Sequence, residues 1–282
     1  MTHGPFDLSG GPFLFLYLVL FALAWFASLR LSLAVRPEGR PCGRLADVDL
    51  AVLAGGLPRY SELVAAQLRA AGYLTVEGGA LVLAADAPAT PAVRALGEPA
   101  RPLRWHAAAR ALAALARAAQ QRLVDRGLLL SAGEVWRVRI AQASPFLLLA
   151  GFGLVKLFAG EARGRLVGFL AVALIVTLVV AVVRFAGVDA RTRIGQQRLA
   201  EARRRHERLR RAPTADEVGI GVALFGTAVL VGSGWEDLHR VRAAGGDGMS
   251  FGVDGGGDGD GGGGSDGGGG GCGGGGCGGC SS

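Results

Sequence analysis

Residues 13–29 read FLFLYLVLFALAWFASL, a stretch of 17 residues without a charged side chain. An α-helix of this length extends about 26 Å, and Arg30 with apolar residues 31–35 lengthens it to the thickness of a bilayer core. The stretch therefore predicts a transmembrane helix over residues 13–35. A cleaved signal peptide is disfavoured, because residues 1–12 contain no Lys or Arg and no small-x-small cleavage site precedes a mature start.

The composition departs from that of an ordinary soluble domain. Half of the 282 residues are hydrophobic, 19% are charged and 48 are glycine, and the mean hydropathy is +0.37. Apolar runs and a glycine-dominated stretch at residues 245–282 together explain these values. The net charge of +7 comes from arginine, since Lys156 is the sole lysine. Arginines beside apolar runs indicate membrane orientation rather than nucleic-acid binding.

The arginines that flank the apolar runs predict how the chain is oriented. Four arginines follow the first run within 15 residues, whereas Asp7 is the only charged side chain before it. Because cytoplasmic flanks of membrane spans are rich in Lys and Arg, we expect the N-terminus outside the plasma membrane and residues 36–143 in the cytoplasm. The arginines expected to set this topology at the membrane interface are Arg30, Arg36, Arg191 and Arg193.

Residues 36–143 predict a cytoplasmic α+β domain. In its first half, residues 36–85, two short helices precede two alternating strands around Gly78-Gly79, a two-residue hairpin signal. This order is typical of a winged-helix unit. A Pro-rich linker follows at residues 86–102, and a second helix-and-hairpin pattern over residues 103–140 indicates that the unit is duplicated.

Three further apolar runs predict additional membrane helices. Residues 144–159 are apolar but short, so they form either a transmembrane or a re-entrant helix, whereas residues 166–186 are a strong span. The last run, residues 218–234, is long enough for a thin or untilted span. With the first helix, these runs predict a mainly α-helical integral membrane protein of about four spans, and the C-terminal tail would then lie outside.

The segment 187–213 is the most basic part of the chain. It predicts an amphipathic helix at the cytoplasmic membrane surface, with Ile194 and Leu199 directed toward lipid. Nucleic acid is not an expected partner of this segment, because it lacks aromatic side chains for stacking. The candidate recognition helix of the first domain unit, residues 59–71, likewise carries too few basic side chains for strong DNA binding.

Residues 245–282 form a low-complexity, glycine-rich tail that predicts disorder, because almost no side chain in it could offset the entropy cost of ordering glycine. Its thiols, spaced C-x4-C-x2-C, could ligate a soft metal ion, exchange disulfides or cross-link to another chain. A passive spacer is the alternative, since a structural zinc site would need a fourth ligand. The candidate metal ligands are Cys272, Cys277 and Cys280.

Three stretches carry a resemblance to a known family: LAGGLPR at residues 53–59, GEARGRLVGFL at 160–170 and VALFGT at 222–227. In this order they resemble an uncharacterised bacterial membrane-protein family that has an N-terminal span, a cytoplasmic region, a hydrophobic pair and a Gly/Cys low-complexity tail. The chain departs from the family pattern at Leu57, which is inserted before the proline, and at Leu166, where proline is expected. The resemblance implies the architecture and assigns no activity.

The sequence favours a non-enzymatic membrane anchor or binding protein with a thiol-bearing tail. We expect no catalytic residues, since zincin, P-loop and dinucleotide-binding motifs are absent from the sequence. The expected partners are the lipid bilayer and proteins bound through the cytoplasmic domain or the tail thiols. Two alternatives stay open: a membrane-embedded enzyme or transport component that uses Lys156, Glu161 and nearby arginines, and a membrane-tethered winged-helix regulator.

Overall fold

The computed structural model describes residues 10–40, 43–161, 168–211 and 213–245 of the chain. This part is mainly helical and contains one two-stranded sheet. Its α-helices are α1 (Gly10–Val35), α2 (Asp47–Ala70), α3 (Pro91–Leu96), α4 (Trp105–Asp125), α5 (Ala132–Glu161), α6 (Gly168–Ala186), α7 (Arg193–Arg205), α8 (Val218–Phe225) and α9 (Glu236–Ala244). Its strands are β1 (Leu74–Glu77) and β2 (Ala80–Leu83), and its 3₁₀ turns are Glu207–Arg210, Ala215–Glu217 and Thr227–Leu230.

Helices α1, α5 and α6 pack side by side, and we call this unit the three-helix bundle. Among the described residues these three helices are long and apolar enough to cross a membrane, over Gly11–Val35, Ala132–Phe158 and Gly168–Ala186. Their shared core includes Phe13, Tyr17 and Phe146. The outward faces instead carry exposed apolar side chains, which is the inverse of a water-soluble bundle; the most exposed are Phe15, Leu148 and Phe169.

Contacts within the bundle fix the direction of each helix. The Phe13 ring at the start of α1 stacks at 5.8 Å on the Phe152 ring near the end of α5. Trp136 at the start of α5 meets Phe185 at the end of α6, with ring centroids 5.4 Å apart. Helix α5 is therefore antiparallel to both neighbours. The end of α1, the start of α5 and the end of α6 lie together, and we call this the domain-side end.

The remaining elements form a helical domain from two separate parts of the chain, residues 43–130 and 187–245. Helix α2 packs against α4 and α8, and the domain core includes the fully buried Leu112, Leu224 and Leu238. The predicted first hairpin is confirmed, since β1 and β2 pair antiparallel with Leu74 opposite Leu83.

The predicted second hairpin within residues 103–140 is wrong, because its second strand is the beginning of α5. Ser131 caps this helix: the backbone N–H of Glu134 donates to Ser131 Oγ at 3.4 Å, and Ser131 N–H donates to Glu134 Oε2 at 2.8 Å. This reciprocal capping box starts a helix where alternation of polar and apolar residues favoured a strand. The chain therefore contains one helix-and-hairpin unit in its described part, and the duplication is not present there.

The predicted short helix at residues 144–159 is also corrected, since it is the second half of the 30-residue helix α5. Pro145 lies inside this helix and has no N–H to donate to the carbonyl of Ala141. Ser144 Oγ donates to that carbonyl instead, at 3.2 Å. The carbonyl is therefore satisfied, and the helix continues past the proline.

The prediction of a fourth span at residues 218–234 is wrong. Helix α8 contains eight residues and extends only about 12 Å. It ends at Gly226, whose φ of 85° is in the left-handed region that favours glycine, and a 3₁₀ turn follows. Val222 and Leu230 are fully buried in the domain core. The run is hydrophobic because it packs inside protein.

Two smaller predictions are corrected by the same packing. The linker at residues 86–102 contains α3, which Thr90 caps by accepting a hydrogen bond from Val93 N–H at 3.2 Å. In the basic segment, α7 directs Leu199 into the domain core and packs Ile194 against it. The apolar side of α7 therefore faces the helical domain and not lipid.

Candidate functional site

A polar junction between the helical domain and the three-helix bundle lies at a kink in α2. Gly55 and Gly56 leave helical geometry, with φ and ψ of −151° and 18° at Gly55 and 66° and −150° at Gly56. The kink leaves carbonyls at the end of the first half without helical N–H partners. Arg191 satisfies two of them, since its Nε donates to Leu53 O and its Nη2 to Ala54 O, both at 2.6 Å.

The same arginine joins the kink to the three-helix bundle. Arg191 Nη1 and Arg36 Nη1 each lie 3.7 Å from Asp189 Oδ2. Arg36 Nη1 also donates to the carbonyl of Arg191 at 3.2 Å, and Arg193 Nη2 donates to the carbonyl of Leu33 in the last turn of α1. Three of the four predicted interface arginines thus connect the end of α1 to the helical domain.

Arg30, the fourth predicted interface arginine, is in a different setting. Its guanidinium lies over the Phe26 ring, 4.8 Å from the centroid, on the outer side of α1. A cation over an aromatic face at a helix end is typical of a membrane interface. The four arginines therefore share the domain-side end but divide into three that hold the domain and one that faces outward.

Two of the three stretches quoted for the family resemblance meet in the domain. Arg59 ends the first, and its Nη1 lies 3.5 Å from the carbonyl of Val222 in the last. A Cβ added to Gly226 would lie 1.7 Å from the same Nη1, so only glycine leaves room for the guanidinium. The middle stretch, residues 160–170, lies at the far end of the bundle, and residues 162–167 are outside the described part.

Glu62 lies beside this contact and is the most deeply buried acidic side chain of the network, with 3% of its side chain exposed. Its Oε2 is 3.2 Å from Arg59 Nη1, and its Oε1 accepts a hydrogen bond from Arg242 Nε at 2.8 Å. A second ion pair, Arg69 to Asp237 at 2.9 Å, also joins α2 to α9. These pairs dock α9 on the second half of α2.

Tyr60, the residue after Arg59 in α2, is buried in the domain core. Burial raises the pKa of Tyr60 above its ordinary value of 10.0, and the positive charge of Arg122 partly offsets that rise. The phenol is therefore protonated at neutral pH. On the candidate recognition helix, Arg59 and Arg69 are both engaged in ion pairs within the domain.

Polar contacts also cross the interior of the three-helix bundle. Tyr17 and Thr177 share a hydrogen bond of 2.9 Å between α1 and α6. Ser28 Oγ donates to the carbonyl of Gln142 at 2.7 Å and accepts from Arg184 Nε at 3.3 Å. Ser28 therefore joins all three helices in one polar contact.

Lys156, the residue of the enzyme or transport alternative, is buried in α5 with its Nζ 4.9 Å from the Phe13 ring centroid. This places the ammonium near the far end of the bundle. The side chains of its proposed companions, Glu161, Arg163 and Arg165, are not described.

Sequence analysis overlooked several of these residues. Glu62 gave a signal, because a carboxylate within an apolar helix needs a buried partner. Asp49 is similar: its carboxylate is buried and accepts from Arg126 Nη1 at 2.7 Å. Arg126 and Arg242 lie 77 and 180 residues from their carboxylate partners along the chain, and no local pattern identifies them; Arg59 alone is close to Glu62 in sequence.

The predicted metal ligands Cys272, Cys277 and Cys280 lie outside the described residues, as does Cys42. Within the described ranges no group of three or more His, Cys, Asp or Glu side chains could hold a metal ion.

Comparison of the chain with known protein families, with curated proteins and with solved structures found no match. The resemblance to a bacterial membrane-protein family therefore stays a prediction that rests on its three quoted stretches.

Proposed function

We propose that this chain is a multi-pass plasma-membrane protein in which the three-helix bundle anchors a cytoplasmic, non-enzymatic binding domain. The proposal rests on a difference in charge between the outward faces of the bundle and the segments at its domain-side end. The outward faces are apolar, whereas the domain-side segments, residues 30–39, 132–140 and 184–193, contain seven arginines and three acidic residues. An excess of arginine beside apolar spans favours the cytoplasmic side.

The domain's internal ion pairs support a binding role over a catalytic one. Glu62 and Asp49 are buried, and each carboxylate is held by arginine from a distant segment. Such pairs fix the relative positions of α2, α4 and α9. A framework of this kind presents a stable surface to a protein partner. Because arginines already occupy both carboxylates, neither is available to a substrate.

Three spans change the expected position of the tail. Gly245, the last described residue, lies against Trp105 at the start of α4, where an added Cβ would be 2.6 Å from Trp105 Cβ. The tail therefore begins on the domain side of the molecule. We infer that it is cytoplasmic, which reverses the outward position expected from four spans. In that reducing compartment its three thiols stay free and suit capture of a soft metal ion better than disulfide formation.

Thiol labelling of intact cells tests this arrangement. In a Cys42→Ser background, a membrane-impermeant maleimide should label Cys272, Cys277 and Cys280 only after lysis. The matched control is a variant without native cysteines that carries Ala162→Cys between α5 and α6, and it should be labelled in intact cells. Labelling of the tail in intact cells would restore the outward position and exclude the three-span arrangement.

Metal content tests the role of the thiols separately. Purified full-length protein should retain more copper or zinc than the variant with all three tail cysteines changed to serine. Cys42→Ser serves as the control and should match the wild type. Equal metal content in the wild type and the triple variant would leave the tail as a spacer and contradict metal capture.

A further inference from the structure

Arg139 of α5 has an incompletely satisfied guanidinium at the domain-side end of the bundle. Its Nε is buried and has no hydrogen-bond partner in the described part of the chain. Its Cζ lies 5.7 Å from the centre of the Phe185 ring. The Trp136 ring packs edge-on against the same Phe185 ring, at an interplanar angle of 88°. A guanidinium has five N–H donors, and the four on the Nη atoms form no hydrogen bond with the described residues, so they are the donors available to an acceptor from outside the protein.

Among the described residues, no carboxylate occupies the place beside Arg139 where such an acceptor would bind. Arg137, the residue after Trp136, is exposed. Within the described ranges, neither Arg137 nor Arg139 forms an ion pair with a carboxylate. The nearest acidic residue in the sequence, Glu134, accepts hydrogen bonds from Ser131. Arg139 is therefore an uncompensated positive charge, and Arg137, two residues away on another face of α5, is a second one nearby.

The length of α5 places Arg139 at the level of lipid headgroups. The helix has 30 residues and extends about 45 Å, which exceeds a hydrocarbon core of about 30 Å by about 15 Å. Three of its charged side chains, Glu134, Arg137 and Arg139, lie in the first three turns, at the domain-side end. Trp136 is 54% exposed beside them, as is typical of aromatic residues at a membrane interface.

An apolar stripe continues from this site along α5. Ile140, Leu147 and Leu154 are exposed and follow Trp136 at intervals of four, seven and seven residues, which keeps them on one face of the helix. A positive site above an exposed apolar stripe matches the chemistry of one ligand class, an anionic headgroup with attached acyl chains.

We propose that Arg139, with Trp136 and Phe185, binds the phosphate of an anionic phospholipid whose acyl chains lie along this stripe, while the exposed Arg137, on another face of α5, adds only its positive charge. The inference rests on the proposed membrane placement of the bundle. Phosphate oxygens accept charge-assisted hydrogen bonds from guanidinium, and Arg suits this better than a point charge because its donors form a planar fork. Basic pockets on the cytoplasmic side of membrane helices favour such headgroups.

Native mass spectrometry of the full-length protein from mixed micelles tests the site. The measured quantity is the ratio of phosphatidylglycerol to phosphatidylcholine adducts. Arg139→Gln should lower this ratio about fivefold, which corresponds to one interfacial arginine, and the exposed Arg137→Gln should lower it less. The matched control Arg240→Gln, an exposed arginine of α9, should leave it unchanged. Equal ratios in all three variants and the wild type would overturn the proposal.

Two further arms separate the possible sources of failure. Inorganic phosphate added at tens of millimolar should not reduce the ratio, and loss of the lipid preference would show a bare anion site in place of a lipid site. Wild type and Arg139→Gln should both remain in carbonate-washed membranes. Release of the wild type would overturn the membrane placement itself, whereas retention of both with unchanged adduct ratios would overturn only the lipid site.

Discussion

Helix α6 and the run at residues 218–234 have similar apolar sequences and opposite surroundings. In α6, Phe169 and Ile175 are 82% and 62% exposed, whereas Val222 and Leu224 in the second run are fully buried. In the proposed membrane placement both runs avoid water, α6 by facing lipid on the outside of the three-helix bundle and the second run by packing against α2. Hydrophobicity thus predicts that a segment leaves water, while helix length and available partners decide whether lipid or protein surrounds it.

The contrast between buried and exposed apolar positions should have its largest effect on stability when a charge is introduced. Leu224→Asp should lower the free energy of unfolding by about 4–5 kcal/mol, because the carboxylate has no partner in the domain core. Val231→Asp, in the same apolar run but 58% exposed, should change it by less than about 0.5 kcal/mol. Urea unfolding in detergent, followed by tryptophan fluorescence, measures both. If both charges are equally damaging, the run does not lie in the domain core.

Removing a buried charge should have the next largest effect. Glu62→Gln leaves Arg59 and Arg242 without their carboxylate and should lower the free energy of unfolding by about 3 kcal/mol. The control Glu236→Gln removes an exposed partner of Arg240 in α9 and should cost less than about 0.5 kcal/mol. The same urea titration measures the two. A small effect at Glu62 would show that the ion pairs do not hold α9 on α2.

The end of α8 provides a test of the element that stops the apolar run. Gly226→Ala should destabilise the domain by about 2 kcal/mol, because the residue has a positive φ and its Cβ would displace the Arg59 guanidinium. Gly232→Ala has a positive φ of 77° but no atom within 4 Å of the added Cβ, so it should cost about 1 kcal/mol. Thermal melting in detergent compares them. Equal losses of stability in the two variants would show that the contact between Gly226 and Arg59 does not contribute.

A smaller effect is expected inside the three-helix bundle. Gly153→Ala would place a Cβ 2.9 Å from Tyr17 Cε2 and should cost about 1 kcal/mol by overpacking the contact between α1 and α5. Gly151→Ala, on the same helix with no atom within 4 Å of its added Cβ, is the control and should be neutral or slightly stabilising. Thermal melting with bundle tryptophan fluorescence measures both. A loss at Gly151 alone would contradict the bundle packing.

The smallest effect concerns pH and the turn that precedes α8. Hydrogen bonds from the Thr214 side chain and backbone, and then from Arg208, hold the pKa of Glu217 below its ordinary value of 4.5. Since the folded pKa is lowered, this stabilisation is present above pH 4.5 and is lost as pH falls through the folded pKa. Thr214→Val should therefore lower the melting temperature slightly at pH 7 and by less at pH 3. An equal decrease at both values would contradict the linkage.

The sequence predicted elements whose signals are local. The 17-residue apolar run, the Gly78-Gly79 hairpin and the helix over α4 were all predicted correctly, because each depends on neighbouring residues. The alternation of polar and apolar residues at 135–140 led to the wrong prediction of a strand, because this pattern fits a strand and the first turns of an amphipathic helix equally. Only Ser131 and Glu134 show that the chain is capped as a helix there.

The candidate site was predicted less completely. Arg36, Arg191 and Arg193 were expected at the membrane interface. The ion pairs of the first two with Asp189, and the hydrogen bonds of Arg191 and Arg193 to the carbonyls of Leu53, Ala54 and Leu33, were not expected. An arginine beside an apolar run satisfies the positive-inside pattern whatever it contacts. Its contacts depend on segments that are more than a hundred residues apart in the chain.

The sequence by itself determined that α1 and α6 are apolar helices long enough to span a bilayer and that the tail is rich in glycine with three cysteines. Tertiary structure alone decided that residues 218–234 complete the domain core, that α5 is one helix through Pro145, and that the tail begins on the domain side. The physical reason is that helix length and turn chemistry are local properties. Burial depends on which distant surface is available to cover an apolar side chain, and on which distant arginine can pair with a buried carboxylate.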